Sequence, residues 1–386
     1  MILRDAKFYD LIANGLGDVS YQEFVDTFLA DTQNGLDVEG FSWAPDLSLD
    51  FTYSQVQATL GLKTMATYVD LDSPGVYKSK EGITLQTGDI PRMKHGYAFN
   101  EKVLRQQMAI FAETGYFSDN FKSRMQEVLF DNTNDLLEGI HNSLSYQRHQ
   151  MVSAGKFELT ASNNPDGIKA VTFSANIPAE NQKTLTGTSR WFTDNAGTVG
   201  TASKPIDDLR DMQDKMEDKG VMNYHWEVDK RTLKSCLNHP SIKSAIGSYI
   251  FPNSGQTDIT GSVSVLGIDR QIQALEAILG CPIKQIDKIV AVDKFDKTVG
   301  KVVKSQIRAF NANVWALVPD GALGNIQSVR PIPVGVENAR VALSDGGRTF
   351  LCQWFDPKVR MQYIEAEHTS LVVPDKPQYM FRLEIA

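Results

Sequence analysis

The stretch DNFKSRMQEVLFDNTNDLLEGIHNSLSYQRHQMVS, residues 119–153, is the longest helical pattern of the chain, with no proline and one glycine. Asp119 is a suitable N-cap, and Gly155 stands where a glycine commonly ends a helix. At 1.5 Å per residue the predicted helix is roughly 50 Å long, so we interpret it as a strut rather than a catalytic scaffold. Its apolar residues follow spacings that place them along one side, namely Phe121, Met125, Val128, Leu129, Leu136, Leu137, Ile140, Leu144 and Met151.

The residues before this helix predict an extended loop at 66–100. Short strand-like runs alternate there with glycine and proline, and too few apolar residues are present to form a core. A two-stranded arm of this kind is marginally stable alone, so we expect it to lie on a neighbouring subunit of an oligomer. The strand-like runs are Tyr68–Leu71, Gly75–Tyr77 and Gly82–Gly88.

The residues after the helix predict a strand, Lys156–Thr160, and then a long polar segment, 161–204. A segment so rich in Ser, Thr, Asn and Gly is typical of a functional or partner-contacting loop. Its Trp191 has two open interpretations, because it could anchor the segment to its own domain or fill a pocket of a neighbouring subunit. Pro205 then begins a predicted helix that Gly220 ends.

From residue 221 onward strand-like and helical patterns alternate, and the final stretch is nearly all β. The run Ser262–Leu266 is predicted as a strand, and two further strands, Lys288–Asp293 and Val299–Lys304, flank a turn. The cluster Glu365, Glu367 and His368 is interpreted as a solvated strand edge, because polar residues alternate outward there. The sequence as a whole predicts an α+β protein with an α/β-patterned middle lobe.

The composition is that of an ordinary globular protein, with 42% hydrophobic and 22% charged residues. No segment approaches the roughly 20 apolar residues of a membrane span, and three scattered cysteines favour structural thiols in a reducing environment. Residues 1–60 hold ten of the 47 acidic residues and two of the 39 basic ones, so the rest of the chain is balanced. This acidic segment is either a solvated face or an arm that meets a basic surface, and the chain lacks the basic stripe of a nucleic-acid binder.

Signatures of catalysis and of cofactor binding are absent from the sequence. It contains no phosphate loop, dinucleotide-binding turn or nucleophile elbow, so we expect no cofactor, no metal and no enzymatic activity. His141 and His149 share the long helix and are interpreted as solvent-facing. A weaker alternative is an enzyme whose site gathers His225, Glu227 and Asp229.

Several stretches, taken in order, carry a resemblance to a known family. They are Gly61-Leu62 with Met65–Val69 and Gly75–Ser79, then Ser153–Leu159, then Trp191 with Ala202–Leu209, and finally Leu371–Pro377 with Ile385-Ala386. In this order they resemble the major capsid proteins of tailed bacteriophages, which have the Hong Kong 97 type fold. They look closest to the lambda major-head-protein family.

The resemblance implies a non-enzymatic building block that forms hexamers and pentamers of an icosahedral shell around double-stranded DNA. It implies an N-terminal arm at 1–65, the extended loop at 66–100, a peripheral domain at 101–220 and 339–386 with the long helix as its spine, and an axial domain at 221–338. The implied partners are other copies, scaffolding and portal proteins, and optionally decoration proteins, with no sequence-specific DNA binding and no membrane.

The implied contacts between subunits lie on the extended loop and the polar segment. They are Tyr77, Lys78, Lys80, Arg92, Lys94 and Trp191. No motif marks one of these lysines for a covalent cross-link, so none is predicted. An alternative within the same resemblance is an encapsulin-like compartment that encloses cargo enzymes instead of DNA. The implied location is the virion, after synthesis in the host bacterial cytoplasm.

Overall fold

The computed structural model describes residues 38–58, 83–99, 119–167, 171–193, 197–252, 259–296, 301–332, 340–356, 358 and 361–386. They form both helices and sheets, which confirms the predicted α+β class. The helices are α1 (Asp119–Ser153), α2 (Pro205–Asp218), α3 (Lys230–Leu237), α4 (Pro240–Ile250), α5 (Ile259–Ser264) and α6 (Ile268–Leu279). The strands are β1 (Phe41–Trp43), β2 (Thr52–Ala58), β3 (Ile83–Asp89), β4 (Arg92–Phe99), β5 (Lys156–Leu159), β6 (Val171–Ser174), β7 (Gln182–Thr184), β8 (Tyr224–Asp229), β9 (Ile283–Ile286), β10 (Ile289–Asp296), β11 (Lys301–Arg308), β12 (Val314–Pro319), β13 (Gly324–Ser328), β14 (Arg340–Ser344), β15 (Thr349–Asp356), β16 (Met361–Pro374) and β17 (Phe381–Glu384).

The long helix α1 has the limits that the sequence predicts. Gly155 then adopts a φ of 68°, a left-handed conformation that glycine tolerates without steric cost, and the chain continues into β5. None of the described helices combines the length and the apolar character that a membrane crossing requires. The predicted apolar residues 121–129 lie outside the described side chains, whereas the later ones are buried, namely Leu136, Leu137, Ile140, Leu144 and Met151.

The chain divides into two compact units. The first lies within residues 1–53, 88–145 and 326–371, and the second within residues 54–87, 146–325 and 372–386. This division differs from the predicted domains, because α2 and β17, assigned to the peripheral domain, share one core with the predicted axial residues. The predicted extended loop is likewise divided, because β4 belongs to a sheet of the first unit.

The first unit contains a sheet in the order β1-β13-β16-β15-β14, with β4 also paired to β16. Residues 361–368 of β16 pair antiparallel with β15, and residues 362–369 pair antiparallel with β4. Both edges of this part of β16 are therefore occupied, and His368 is only 1% exposed. The interpretation of Glu365, Glu367 and His368 as a solvated strand edge is wrong for His368 and for the edge itself, because β4, from much earlier in the chain, pairs along it. Glu365 and Glu367 do alternate outward as predicted, with their side chains 27% and 15% exposed.

The second unit contains a five-stranded sheet in the order β7-β17-β12-β8-β9. Apolar side chains from α2, α3, α4, α5 and α6 join those of the sheet in one buried cluster. Trp315 is fully buried in this cluster, with its ring centroid 5.9 Å from that of Trp191 and 5.8 Å from that of Trp226. Such tilted aromatic contacts add directional packing to apolar burial.

The predicted strand Ser262–Leu266 is wrong, because residues 259–264 form the short helix α5. Val263 of this helix is fully buried in the core of the second unit. Gln271 on α6 donates from Nε2 to the carbonyl oxygens of Val263 and Leu266, at 3.2 Å and 2.8 Å. A helix leaves such carbonyls without intrahelical partners at its C-terminal end, so this side chain completes the helix.

Candidate subunit-contact surfaces

The residues predicted to contact neighbouring subunits fall into three groups. Tyr77, Lys78 and Lys80 lie outside the described residues, so their contacts stay predictions. Arg92 and Lys94 lie on β4 with their side chains 51% and 49% exposed. Trp191, in contrast, is fully buried.

Arg92 and Lys94 belong to a charge ladder across two paired strands, which also includes Glu365 and Glu367 of β16. Lys94 Nζ lies 2.5 Å from Glu365 and 3.1 Å from Glu367, and Arg92 also bonds Glu367. The hydrogen bond to Glu365 is the main cause of a raised pKa for Lys94. Both cations are thus neutralised within their own subunit, so a neighbour would meet a balanced ladder rather than two free positive charges.

Trp191 anchors the polar segment to its own subunit. Its ring Nε1 donates to Asp208 Oδ2 at 3.0 Å, near the N-terminus of α2, and its backbone nitrogen donates to the carbonyl of Ile385 at 3.0 Å. Lys183 Nζ lies 3.0 Å from the same carboxylate. Of the two interpretations left open for Trp191, the structure agrees with the anchor to its own domain, because the side chain is enclosed by its own core and has its hydrogen-bond partner there. Its assignment to the contacts between subunits is corrected.

The C-terminal end of α1 carries a buried ion pair with β8. Arg148 and Glu227 have side chains that are 2% and 0% exposed, and the guanidinium donates to both carboxylate oxygens. Burial, the largest single influence, would raise the pKa of Glu227, yet the charge of Arg148 and the hydrogen bonds from His225 and Arg148 together outweigh it, so the pKa lies below its ordinary value. We define these two residues as the buried ion pair.

His225 connects the buried ion pair to a surface carboxylate. Its Nε2 lies 3.3 Å from Glu227 Oε1, and its Nδ1 lies 2.6 Å from Asp320 Oδ1. Burial lowers the pKa of His225, but the hydrogen bonds to the two carboxylates outweigh this effect and leave the pKa raised. The histidine is therefore held in place by charge on both sides of its ring.

His149 does not face solvent, contrary to the prediction from the sequence. It is 8% exposed, its ring packs edge-on against Phe310, and its Nδ1 accepts a hydrogen bond from Arg148 at 3.0 Å. Burial, with a further contribution from the Arg148 charge, lowers its pKa to about 3. His141 is partly buried as well. No local sequence pattern signals this burial, because Phe310 lies far along the chain.

The residues of the weaker enzyme alternative have structural partners. Asp229 Oδ2 accepts from the backbone nitrogens of Arg231 and Thr232, which caps α3, and its Oδ1 lies 3.0 Å from Arg308. Glu227 is held by Arg148 as described above. Within the described part of the chain, no group of three or more His, Cys, Asp or Glu residues could hold a metal ion. The arrangement is that of an ion network that fastens α1, α3 and the sheet together.

Strands β10 and β11 form a two-stranded ribbon, here called the ribbon, with an unbroken register from Ile289↔Arg308 to Asp296↔Lys301. Its base is firmly attached, because Arg308 Nη1 lies 3.0 Å from both Asp229 and Asp287. Neither strand is hydrogen-bonded to a third described strand. The sequence predicts both strands but assigns them no contact, although the alternation of Val290 and Val292 was an available signal.

Comparisons with known proteins point to one family. The family profile described as phage major capsid protein E matches residues 45–385. No curated protein sequence matches the chain.

Solved structures with a similar chain path include three of phage or prophage origin. A phage-related protein from Bordetella bronchiseptica RB50 is 11% identical, with coverage of 98% of this chain and 97% of that chain and a TM-score of 0.46. A putative prophage capsid protein from Escherichia coli CFT073 is 11% identical, with coverage of 98% of both chains and a TM-score of 0.45. A chain of the satellite phage P4 procapsid is 10% identical, with coverage of 93% and 99% and a TM-score of 0.44.

Proposed function

Because the chain belongs to the phage major capsid protein E family, we propose that its copies form hexamers and pentamers that close into an icosahedral shell around double-stranded phage DNA. The protein is a capsid shell subunit, and its resemblance to phage major capsid proteins is confirmed. The nearer placement beside the lambda major-head-protein family stays a prediction. The family match over residues 45–385 is the observation that carries the proposal.

In the proposed shell, the subunit has the Hong Kong 97 type arrangement, with α1 as its spine. The 35-residue length of α1 and its attachment to β8 through the buried ion pair support this role. Of residues 66–100, the part before β4 would lie across the adjacent subunit, because β4 itself pairs with β16 of its own subunit. Residues 161–204 would meet neighbours near the local threefold axes. Residues 221–338 would surround the centre of each capsomer.

The partners proposed for this subunit are chiefly its own copies. Shell proteins spread many modest interfaces over their surfaces, each with apolar contacts and a polar rim. Scaffolding and portal proteins, and optionally decoration proteins, are the further partners. The equal number of acidic and basic residues outside 1–60 supports a lining that encloses DNA without gripping it or reading its sequence.

The subunit is proposed to act without catalysis. The two groups that an enzyme would need, the Glu227 carboxylate and the His225 ring, are already engaged by Arg148 and by Asp320, which supports a structural role. The protein belongs to the shell of the virion. Its synthesis in the cytoplasm of the host bacterium is part of the proposal.

Electron microscopy of the purified protein tests the shell. The full chain, expressed alone and together with the scaffolding protein of the same phage, should give capsomers, tubes or closed icosahedral particles. A protein that stays monomeric at high concentration in both preparations would overturn the proposal.

The content of native particles separates the two kinds of shell. Particles purified from the host should contain double-stranded DNA that resists nuclease until the shell is opened. Particles that contain a cargo enzyme and no DNA would instead assign the protein to an encapsulin-like compartment.

A further inference from the structure

We propose that His225 acts as a pH-dependent latch within the second unit. As a doubly protonated imidazolium it binds both the buried Glu227 of β8 and Asp320, the first residue after β12, and it releases Asp320 when it loses a proton. We call residues 320–323, which connect β12 to β13, the latched segment. The latch goes beyond the proposed shell, because it lies within one subunit and requires no neighbouring copy.

Both ring nitrogens of His225 face a carboxylate oxygen. Nε2 lies 3.3 Å from Glu227 Oε1, and Nδ1 lies 2.6 Å from Asp320 Oδ1. An ionised carboxylate accepts hydrogen bonds and donates none, whereas a neutral imidazole carries only one N–H. Either neutral tautomer would therefore point the lone pair of one ring nitrogen at a carboxylate oxygen. Only the imidazolium donates a hydrogen bond on both sides.

The charges of this cluster balance only when the His225 ring is protonated. The guanidinium of Arg148 already donates to both oxygens of Glu227, whose side chain is 0% exposed. Without the imidazolium, this one cation would face two carboxylates, those of Glu227 and Asp320. Burial lowers the pKa of His225, yet the hydrogen bonds to the two carboxylates and their charges together leave the pKa raised.

The other charged or titratable side chains around the cluster do not replace His225. They are Asp229 of β8, Lys284 of β9, Lys288 before β10, Arg382 of β17 and His149 of α1. The pKa of His149 is lowered to about 3, so its ring is neutral near neutral pH. Asp229 accepts from the backbone of α3 and pairs with Arg308. On β12, the residue opposite His225 is the apolar Val318.

The latched segment begins at an exposed turn. The backbone nitrogen of Asp320 donates to the carbonyl of Asn223 at 3.0 Å, next to the side-chain bond to His225. Gly321 follows with a φ of 95°, in the left-handed region that favours glycine. Residues 320–322 are exposed. Loss of the charged bond would leave the backbone bond to Asn223 in place, so the segment should open locally more often without unfolding the subunit.

The direction of the pH dependence follows from the raised pKa. A histidine in the unfolded chain has a pKa of about 6.5, so below this pH the ring is charged in both states and the latch is closed. As the pH rises through the raised pKa of the folded state, the ring loses its proton and the contribution of the latch to stability is lost.

Nuclear magnetic resonance of histidine rings in the full-length, unassembled subunit tests the protonation state. The signal that is absent from His225→Gln belongs to His225, and glutamine keeps a donor toward Glu227. The titration midpoint of His225 should lie above its ordinary value of 6.5. Asp320→Asn should lower this midpoint by about one pH unit, because it removes one of the two carboxylates. The matched variant Asp269→Asn, at an exposed carboxylate on α6, should leave it unchanged.

Two results of this titration would overturn the inference. The first is a midpoint at or below 6.5 in the wild-type subunit. The second is the same midpoint in Asp320→Asn and in Asp269→Asn, which would show that Asp320 does not hold the proton on the ring. Neither result depends on whether the subunit forms particles, so the proposed shell is tested separately.

Hydrogen exchange measured by mass spectrometry reads the release of the latched segment. After correction for the intrinsic effect of pH on exchange, the protection of its backbone amides should be constant below the His225 midpoint. Above the midpoint it should fall by up to about tenfold per pH unit, which is the limit for one proton. Asp320→Asn should show low protection without this step, and Asp269→Asn should behave like wild type. If His225 titrates as expected but the wild-type segment shows no step, the ring is charged without acting as a latch, and the inference is overturned.

Discussion

The C-terminal end of α1 and the ribbon arrange charged and apolar side chains in opposite ways. Arg148 and Glu227 are charged, yet they are almost fully buried and satisfy each other within one subunit. Val303 is apolar, yet about half of it is exposed and the buried cluster of its own unit does not cover it. The two regions meet where Gln150 of α1 bonds Ala309 at the base of the ribbon. The difference shows that polarity alone does not decide which side chains this subunit buries, because a completed ion pair is enclosed while an apolar side chain is left half exposed.

The largest effect is expected from breaking the buried ion pair. Arg148→Met would leave the Glu227 carboxylate buried without its cation, which typically costs about 3–5 kcal/mol of unfolding free energy. Chemical denaturation of the unassembled subunit measures this loss. The double variant Arg148→Met with Glu227→Gln should recover most of it, because no uncompensated charge remains. A single variant within about 1 kcal/mol of wild type would show that the pair is not what holds this end of α1.

The parts of the fold that the sequence predicts well depend on local pattern. The limits of α1 follow from its apolar stripe and from Gly155, which are both readable within a few residues. The error at Ser262–Leu266 has a distant cause, because Val263 is buried by a core assembled from many elements. Short apolar runs are ambiguous between strand and helix until their surroundings are known.

The contact surfaces were harder to predict than the fold, for the same reason. Trp191 lies in a polar segment, which suggested a role at a neighbour, but its partner Asp208 lies on a helix that folds back against it. The burial of His149 depends on Phe310, and that of His368 depends on strands from distant parts of the sequence. The two strands of the ribbon, in contrast, are predicted from their own residues. Only the structure shows that neither strand pairs with a third described strand and that Val303 is left half exposed.

The second effect extends the comparison to Trp191, which is buried like the ion pair although one of its two interpretations placed it in a contact between subunits. Trp191→Phe would remove the hydrogen bond to Asp208 and leave a cavity beside Trp315, so we expect a loss of about 2–3 kcal/mol in unfolding free energy. Denaturation of the unassembled subunit measures it. A variant that unfolds like wild type but fails to assemble would restore the interpretation of Trp191 as a contact between subunits.

The third effect is a dependence on pH that comes from buried histidines. Burial lowers the pKa of His149 and of His368 to about 3, whereas a histidine in the unfolded chain has a pKa of about 6.5. Below pH ~6.5 the unfolded chain binds protons that the folded chain does not, so this stability is complete above that pH and is lost as the pH falls toward 3. The loss should approach about 1.4 kcal/mol per pH unit for each histidine.

The variant His149→Asn isolates one of these contributions. Denaturation at about pH 7 and at about pH 5 should show a weaker dependence on pH in the variant, by about 1 kcal/mol per pH unit averaged over this range. His225 has the opposite sign, because its raised pKa gives stability that is complete below about 6.5 and is lost as the pH rises through the raised value. An unchanged slope in His149→Asn would mean that His149 is protonated in the folded subunit.

The smallest effect on folding is expected at the charge ladder, whose ion pairs are exposed, in contrast to the buried ion pair. Lys94 is about half exposed and pairs within its own sheet, so Lys94→Ala should change the unfolding free energy by less than about 1 kcal/mol. Lys156→Ala is the matched control, because Lys156 forms a similar exposed pair with Glu158 at 2.9 Å and is not a predicted contact. If the ladder meets a neighbour, Lys94→Ala should raise the protein concentration needed for particles while Lys156→Ala does not. If the two variants assemble alike, the ladder stabilises only its own sheet. Lys94 already pairs with Glu365 and Glu367 within one subunit, so little of its charge is then available to a neighbouring subunit.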